Sequence, residues 1–147
     1  MGVVHNKKAH LNYEFLERIE AGLELRGFEV KSLRAGRGAL DGARIIARGG
    51  EAYLVGASIP AFQPANAPKD YDPERPRRLL LNQKEIAQVA AAEGERGLTI
   101  IPIRVYNKGR NLKLEIAISR GKKKYDKRQD LKKRESKRAA ERTLKNN

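Results

Sequence analysis

Residues 43–59 read ARIIARGGEAYLVGASI, and this stretch decides the fold class. Aliphatic and β-branched residues lie on both sides of the Gly49-Gly50 pair. Two glycines in succession supply the positive φ values that a tight hairpin turn requires. The stretch therefore predicts a β-hairpin with strands at 43–48 and 51–59.

A second hairpin is predicted further along the chain. Residues 98–106 are β-branched and apolar, residues 107–111 read NKGRN, and residues 112–118 alternate apolar with mostly polar side chains. Such alternation is typical of a strand with one buried face. Pro102 cannot donate to a strand ladder, so it indicates an edge or a bulge in the first strand.

Residues 11–25 carry two overlapping patterns. Apolar side chains recur at every fourth position, which is typical of a helix, while others in the same segment alternate as in a strand. Periodicity by itself leaves both structures open. Gly22 and the step between Phe15 and Ile19 suit a long bent strand with a bulge, because an inserted residue re-aims the side chains. We therefore predict a strand.

A short helix is predicted over residues 27–36. Gly36 is placed to end it, because glycine readily adopts the left-handed conformation that follows a helix. The polar face of this helix would display Lys31 and Arg34.

Residues 79–85 are predicted to begin a second helix. Asn82 is a good N-cap, and Glu85 follows it at the spacing of a capping box. Gly94 or Gly97 ends the helix. Its predicted buried stripe comprises Ile86, Val89 and Ala90.

Residues 60–78 contain five of the six prolines. Proline removes ladder donors and favours turns, so this segment is predicted to be an exposed, mobile connection. The strands and two short helices together predict a mainly β protein. A small closed β-barrel would remove the exposed edges by wrapping the sheet.

The 147 residues include 32 Lys and Arg against 18 Asp and Glu, a formal net charge of +14, which favours a polyanionic partner.

The excess of basic residues is uneven along the chain. Residues 1–120 carry 20 basic and 14 acidic side chains, and residues 121–147 carry 12 and 4. The second range has too little apolar surface to order by itself. We therefore predict a body at 1–120 and a basic tail at 121–147 that is disordered when free. Residues 126–145 are nevertheless rich in helix formers and contain opposite charges at i,i+4, such as Asp130 with Arg134. Contact with RNA would relieve the repulsion among the Lys and Arg side chains, so we predict that RNA makes the tail helical.

The residues present exclude several function classes. The absence of cysteine excludes disulfides, thiolate zinc sites and cysteine nucleophiles. His5 and His10 have no partner at ligand spacing, so no metal or other cofactor is expected. No P-loop, catalytic triad order or HExxH motif occurs, so an enzyme is not expected. Without a signal peptide or a run that spans a bilayer, we expect a cytoplasmic protein that does not contact membranes.

Three blocks in this order resemble the small protein B family, also called SsrA-binding protein, the partner of transfer-messenger RNA in bacterial ribosome rescue. The first block joins EAGL at 20–23 to GFEVKSLRAG at 27–36. The second is RLLLNQKE at 78–85, and the third is GKKKYDKR at 121–128. The combination of the three blocks is highly specific.

The resemblance implies an OB-like β-barrel with flanking helices. The body would bind the transfer-RNA-like domain of transfer-messenger RNA, in the place of the anticodon arm that this RNA lacks. The tail would enter the vacant mRNA channel of a stalled ribosome. The implied partners are this RNA, the ribosome at its decoding centre and 16S rRNA, and elongation factor Tu within the delivery complex. The protein itself is expected to be a monomer.

The resemblance also assigns residues. RNA contact falls on Glu20, Leu80, Asn82 and Lys113, with Lys31 and Arg34 as nearby phosphate partners. The ribosome-directed segment comprises Gly121, Lys122, Lys123, Lys124, Tyr125, Asp126, Lys127 and Arg128. Many relatives carry His or Phe where this chain has Leu11. If that ring stacks on a base in the relatives, Leu11 cannot do so here. The neighbouring ring of His10 is the candidate substitute.

Each assignment has an ordinary structural alternative. Glu20 is also typical of an exposed strand carboxylate, although a carboxylate can accept from the amino group of an unpaired base. Asn82 can serve as a helix cap alone, and leucines such as Leu80 are more often core residues. The tail is also typical of a solvated charge run, although Tyr125 among cations is a base-stacking pattern. For the whole chain, the alternatives are an OB-fold ribosomal or initiation-type rRNA-binding protein and, more remotely, a basic nucleic-acid chaperone.

Overall fold

A computed structural model describes the backbone of residues 2–146 and the side chains of residues 3–123 and 128–141. The strands are β1 (Gly2–His5), β2 (Tyr13–Leu23), β3 (Arg44–Arg48), β4 (Glu51–Val55), β5 (Arg77–Leu80), β6 (Leu98–Lys108) and β7 (Asn111–Gly121). The helices are α1 (Ala9–Asn12), α2 (Gly27–Arg34), α3 (Gln83–Glu93) and α4 (Lys124–Asn146), with a 3-10 turn at Pro64–Asn66.

The strands described within residues 2–146 form one antiparallel sheet in the order β1-β6-β7-β2-β5-β4-β3. Both predicted hairpins are confirmed. Gly49 and Gly50 have φ values of 59° and 78°, as the tight turn between β3 and β4 requires. The second of these strands ends at Val55, four residues earlier than predicted.

The strand interpretation of residues 11–25 is confirmed over Tyr13–Leu23. The register of β2 against β7 shifts between Phe15 and Glu17, which is the predicted bulge. The register of β6 shifts between Pro102 and Arg104, so the effect expected of Pro102 is confirmed as well. The bulges thus lie in β2 and β6, the two strands that flank β7, and a bulge bends its strand.

The prediction of a closed barrel is not confirmed. Within residues 2–146 the sheet has two ends, and no ladder joins β1 or β6 to β3. Helix α3 packs against both β3 and β6. Its Glu93 carboxylate accepts from the backbone N–H of Ala47 at 2.8 Å and from Arg48 at 2.6 Å. A side chain of α3 therefore satisfies an edge donor of β3 that a closed barrel would pair with another strand.

Helix α3 begins as predicted. The Asn82 side chain accepts from the N–H of Glu85 at 2.8 Å, the Glu85 carboxylate accepts from the N–H of Asn82 at 3.1 Å, and Gly94 is the C-cap. The predicted stripe is wrong at Ala90, which is exposed; the buried residues are Ile86, Val89 and Ala92. The helix is rotated so that Glu93 reaches β3.

Most of residues 60–76 are exposed, as predicted, but a buried ionic cluster holds the end of this connection against α2. Glu29 of α2 and Arg77 of β5 are fully buried, and Arg77 Nε and Nη2 lie 3.0 and 2.8 Å from Glu29 Oε2. Arg75 makes a second ion pair with the same carboxylate. The Tyr71 hydroxyl lies 3.0 Å from Glu29 Oε2 and 2.6 Å from the carbonyl oxygen of Ile59. Tyr71, Arg75 and Arg77 therefore attach the end of this connection to Glu29 of α2.

Burial acts to raise the pKa of Glu29, but hydrogen bonds from Arg75, the N–H of Arg26 and Arg77 outweigh it and hold the pKa at about 2. The carboxylate is thus ionised at every physiological pH. Arg77 also donates to the carbonyl oxygens of Ala57 and Pro73, at 2.9 and 2.8 Å, so all parts of its guanidinium have acceptors.

Replacing Glu29 with glutamine is expected to lower the free energy of unfolding at pH 7 by about 3–5 kcal/mol, because Arg77 would keep a buried charge without its counter-ion. Urea denaturation measures the loss. The matched control is Glu24→Gln, whose partner Arg78 is partly exposed, for which we expect at most about 1 kcal/mol. Equal losses in the two variants would contradict a central role for the buried cluster.

The parent protein and Glu29→Gln should also differ in how their stability depends on pH. A lowered pKa stabilises the fold only while the carboxylate is ionised. The stabilisation from Glu29 is therefore complete above its ordinary pKa of 4.5 and is lost as the pH falls towards 2. Between those values the unfolding free energy of the parent protein should fall more steeply than that of Glu29→Gln.

Candidate nucleic-acid interface

One open face of the sheet brings together residues that are distant in the sequence. Gly22 of β2 lies opposite Leu80 of β5 on one side and opposite Lys113 of β7 on the other. Residues directly opposite in antiparallel strands share a face of the sheet. The alternate residues Ala21, Leu79 and Leu114 are buried, so this face points outward, and Leu80 is 50% exposed. Leu80 is therefore not a core residue.

Leu80 and Lys113 line a groove of about 210 Å³ that we call the leucine groove. Val30 and Arg34 of α2 and Arg110 of the β6–β7 turn also line it. Arg34 Nη2 donates to the carbonyl oxygen of Arg110 at 2.6 Å, which attaches α2 to the hairpin. The groove thus combines an apolar floor with a cationic rim.

Gly22 makes room for Leu80. A Cβ atom added at Gly22 would lie 3.0 Å from the Cβ of Leu80, which is tighter than nine in ten real Cβ contacts. The absent side chain therefore lets Leu80 lie across β2 and stay exposed. The sequence indicated Gly22 only as a bend in the strand, because the pairing of β2 with β5 is not visible in it.

Glu20 lies two residues from Gly22 on the same face of β2. Its carboxylate accepts from the Tyr106 hydroxyl and from Lys108 Nζ at 2.9 Å. These two hydrogen bonds, led by that of Tyr106, lower the pKa of Glu20. Burial and the neighbouring carboxylate of Glu20 raise the pKa of Tyr106 to about 12. Each carboxylate oxygen still has a second lone-pair site, so Glu20 can accept a further hydrogen bond.

A cation reinforces this arrangement. The Arg104 guanidinium stacks 4.4 Å from the centroid of the Tyr106 ring. Tyr106 and Lys108 were not among the predicted site residues. Their alternation along β6 is the signal that could have placed both on the outward face.

The cap predicted for Asn82 accounts for one end of its side chain. Asn82 Oδ1 accepts the helix-capping hydrogen bond, while Asn82 is exposed and its Nδ2 donors are not needed for the cap. Because β5 ends at Leu80, Asn82 stands two residues beyond the leucine groove. Capping and RNA contact are therefore compatible at this position.

Lys31 and His10 lie outside the leucine groove. Lys31 lines a neighbouring groove on the other side of α2. His10 of α1 packs against Phe15 with ring centroids 4.7 Å apart, near Arg18. Burial, followed by the charges of Arg18, Arg134 and Lys122, lowers the pKa of His10.

The junction between body and tail is anchored at Lys122. Gly121, the first residue of the predicted tail, pairs with Tyr13 as the last residue of β7. The Lys122 N–H donates to the carbonyl oxygen of Asn12 at 2.9 Å, and its Nζ donates to that of His10 at 2.7 Å. The same Nζ binds the Asp130 carboxylate. Gly121 and Lys122 are thus held by the body.

Asp130 makes its close ion pair with Lys122, and the predicted attraction to Arg134 is present as a weaker interaction at longer range. The hydrogen bond from Lys122 lowers the pKa of Asp130. Beyond this contact, residues 131–141 of α4 are all exposed, as are Lys123 and Arg128. The side chains of Lys124, Tyr125, Asp126 and Lys127 lie outside the described residues.

Within the described residues, no group of three or more His, Asp or Glu side chains is placed to hold a metal ion. Nor does any helix in that part of the chain have the length and apolarity to cross a membrane.

Comparison with known proteins decides the family. The model of the SmpB protein family matches residues 3–146. The SsrA-binding protein of Thermosipho africanus is 47% identical over 146 residues, which cover 99% of this chain and 97% of the relative. That of Roseiflexus sp. is 43% identical, covering 97% and 90%.

This chain belongs to the SmpB family. The resemblance drawn from the three sequence blocks is thereby confirmed. A solved structure described as "tmRNA-SmpB: a journey to the center of the bacterial ribosome" is 36% identical, with a TM-score of 0.68 over 82% of this chain and 84% of that chain. The mainly β fold with short helices is shared with it. The SmpB and SsrA-binding names are those of binding proteins rather than of enzymes.

In this SmpB-family chain the assigned residues fall into three groups. Leu80, Lys113 and Arg34 line the leucine groove, and Glu20 and Asn82 flank it. Lys31 lies in the next groove. His10 joins Lys122 at the tail junction.

Replacing Tyr106 with phenylalanine is expected to raise the pKa of Glu20 towards its ordinary value of 4.5, because it removes the largest cause of the lowering. A carboxyl-carbon NMR titration measures this pKa. Tyr53→Phe is the control, since Tyr53 lies on β4, which β5 separates from the strand of Glu20. An unshifted Glu20 titration in Tyr106→Phe would contradict the hydrogen bond.

Proposed function

We propose that this chain binds the transfer-RNA-like domain of transfer-messenger RNA and delivers it to stalled ribosomes for trans-translation. The observation that carries the proposal is the leucine groove, where an exposed apolar side chain, three cations and a flanking carboxylate lie together in a member of the SmpB family. Relatives named SsrA-binding protein support the choice of RNA.

The groove suits RNA for three chemical reasons. Lys113 and Arg34 can neutralise phosphates and release their counterions. Leu80 offers an apolar surface to a sugar or a base. Glu20 retains acceptor sites for the amino group of an unpaired base, and Asn82 retains donors for a base or phosphate oxygen. The cations supply affinity, and these two polar side chains select the RNA.

The tail, in this proposal, tests whether the mRNA channel of the ribosome is empty. Helix α4 is cationic, and the side chains of residues 131–141 are all exposed. Most of the stability of a helix in a protein comes from tertiary packing, so the exposure of residues 131–141 leaves this 23-residue helix weakly stabilised. We infer that residues 123–147 are disordered in the free protein and become helical against 16S rRNA near the decoding centre. Bound mRNA would exclude them sterically.

Other features of the proposal follow from the same resemblance. In this proposal, the sheet together with α3, which packs against β3 and β6, takes the place of the OB-like barrel that the resemblance implies. The protein acts as a cytoplasmic monomer without a cofactor or catalysis, in a delivery complex that includes elongation factor Tu. Discrimination from a general rRNA-binding protein rests on selectivity, so a competition titration should show strong preference for the transfer-RNA-like domain over ribosomal RNA fragments.

Two substitutions at Asn82 separate its capping role from RNA recognition. Asn82→Asp keeps a good cap but replaces the amide donors with a negative charge, whereas Asn82→Ala removes both. We expect both variants to weaken binding of the transfer-RNA-like domain by about 1–3 kcal/mol, the scale of a specific contact. The midpoint temperature of thermal unfolding should fall in Asn82→Ala but not in Asn82→Asp. Parent-like affinity of Asn82→Asp at fixed salt would remove Asn82 from the interface.

Deleting residues 124–147 is expected to abolish peptide tagging in a reconstituted translation assay while leaving the body folded and bound to the RNA domain. The cut spares Gly121 and Lys122 because both are held by the body. Amide exchange in residues 128–141 of the full chain should be fast without ribosomes and slowed with them. Persistent tagging by the truncated chain, or strong protection of these amides in the free protein, would contradict the role of the tail.

A further inference from the structure

A second groove lies beside the leucine groove, on the other side of α2. It has a volume of about 280 Å³ and is lined by Gly27, Phe28, Lys31, Phe62, Gln63 and Asn66. We call it the phenylalanine groove. Three of these residues come from α2 and three from the segment around the 3-10 turn at Pro64–Asn66. Neither aromatic residue belongs to the site that the sequence assigned.

The two rings of this groove are held in place. Phe28 contacts the Tyr71 ring edge to face, with centroids 4.7 Å apart. Tyr71 in turn belongs to the buried Glu29 cluster. The Arg37 guanidinium lies 5.5 Å from the centroid of Phe62. Both rings are half-buried and so keep part of their surface exposed. The walls are therefore formed before any ligand arrives.

Polar groups complete the lining. Asn66 Nδ2 donates to Gln63 Oε1 at 2.6 Å, which aligns the two exposed amides. The other ends, Gln63 Nε2 and Asn66 Oδ1, have no partner among the described residues. One donor and one acceptor side by side match the alternating groups on the edge of a nucleobase. Lys31 supplies a positive charge at the same groove.

Helix α2 connects the two grooves. Val30 and Arg34 face the leucine groove, while Phe28 and Lys31 face the phenylalanine groove. A nucleic-acid strand whose phosphate lies near Arg34 can therefore continue past Lys31 to the second groove. Aromatic rings beside cations are the combination on which unpaired bases stack while phosphates are neutralised.

We propose that the phenylalanine groove binds an unpaired nucleobase of the RNA, stacked on Phe62 and Phe28 with its edge against Gln63 and Asn66. This inference rests on the proposed function, because it adds a contact to the same RNA-binding surface. An acidic peptide would be attracted by Lys31 and Arg37 as well, but it offers no flat ring for the two aromatic side chains. The base is the ligand that uses every group in the lining.

The chain contains no tryptophan, so Phe62→Trp introduces a single fluorescent reporter in the groove. The probes are a transfer-RNA-like domain transcript, a single-stranded RNA oligonucleotide, inorganic polyphosphate and polyglutamate. We expect both RNAs to quench the tryptophan, because a stacked base contacts the indole. Polyphosphate and polyglutamate should not quench it, although both can bind cations.

Affinity measurements use a matched pair at the same position. Phe62→Leu keeps an apolar side chain but removes the ring, and it should weaken binding of the transcript roughly 5- to 100-fold. Phe62→Tyr keeps the ring and should bind like the parent. The slope of log affinity against log salt should be unchanged in Phe62→Leu, since no phosphate contact is lost, whereas Lys31→Ala should reduce it by about one. Gln63→Ala with Asn66→Ala tests the exposed amides without touching the packing of the rings.

The outcomes separate the two proposals. If the transcript binds the parent and Leu80→Ala weakens it, while Phe62→Leu binds like the parent and Phe62→Trp is not quenched, the inference is overturned and the proposed function stands. Quenching by polyglutamate would also overturn it, by showing a peptide site. If the parent shows no selectivity for the transcript but the oligonucleotide quenches Phe62→Trp, the proposed function fails and the base site remains.

Discussion

The buried carboxylate of Glu29 is the constraint on which the arrangement of the surface depends. It lies on α2 and receives hydrogen bonds from Arg75 and Arg77, which precede and begin β5. Removing two or three charges from water is costly, and the interaction repays this only in one well-satisfied geometry. The cluster therefore sets α2 against β5. The cations of α2 thereby take fixed positions relative to Leu80 and Asn82.

The surface chemistry follows from that placement. A strongly basic protein attracts any polyanion, so charge alone does not select an RNA. In the leucine groove and beside it, the cations alternate with an apolar side chain and with Glu20, whose carboxylate is kept ionised by Tyr106 and Lys108. An acidic group on a basic face disfavours phosphate at that point and favours a donor instead. In the proposed function, selectivity would thus come from one acidic side chain on an otherwise basic surface.

Sequence reasoning succeeded where structure is decided by neighbouring residues. The glycine pair at 49–50 determines a turn, Asn82 with Glu85 determines a helix start, and Pro102 determines a bulge, each through contacts within a few positions. It failed where the partner is distant. Glu29 meets Arg77 across 48 positions, and neither the Pro-rich composition nor the periodicity of residues 60–78 reveals that contact. The exposure of Ala90 had the same cause, since the rotation of α3 depends on β3.

The sequence by itself determined the family, the mainly β class and the excess charge of the tail. These follow from local patterns and from residue blocks that survive without knowledge of the fold. Tertiary structure alone decided that the sheet stays open beside α3, that Gly22 leaves space for Leu80, and that Glu20 is bound by Tyr106 from a strand 86 positions away. The physical reason is that strand register and burial are collective properties. They arise when the whole sheet curls around its core, and no single segment encodes them.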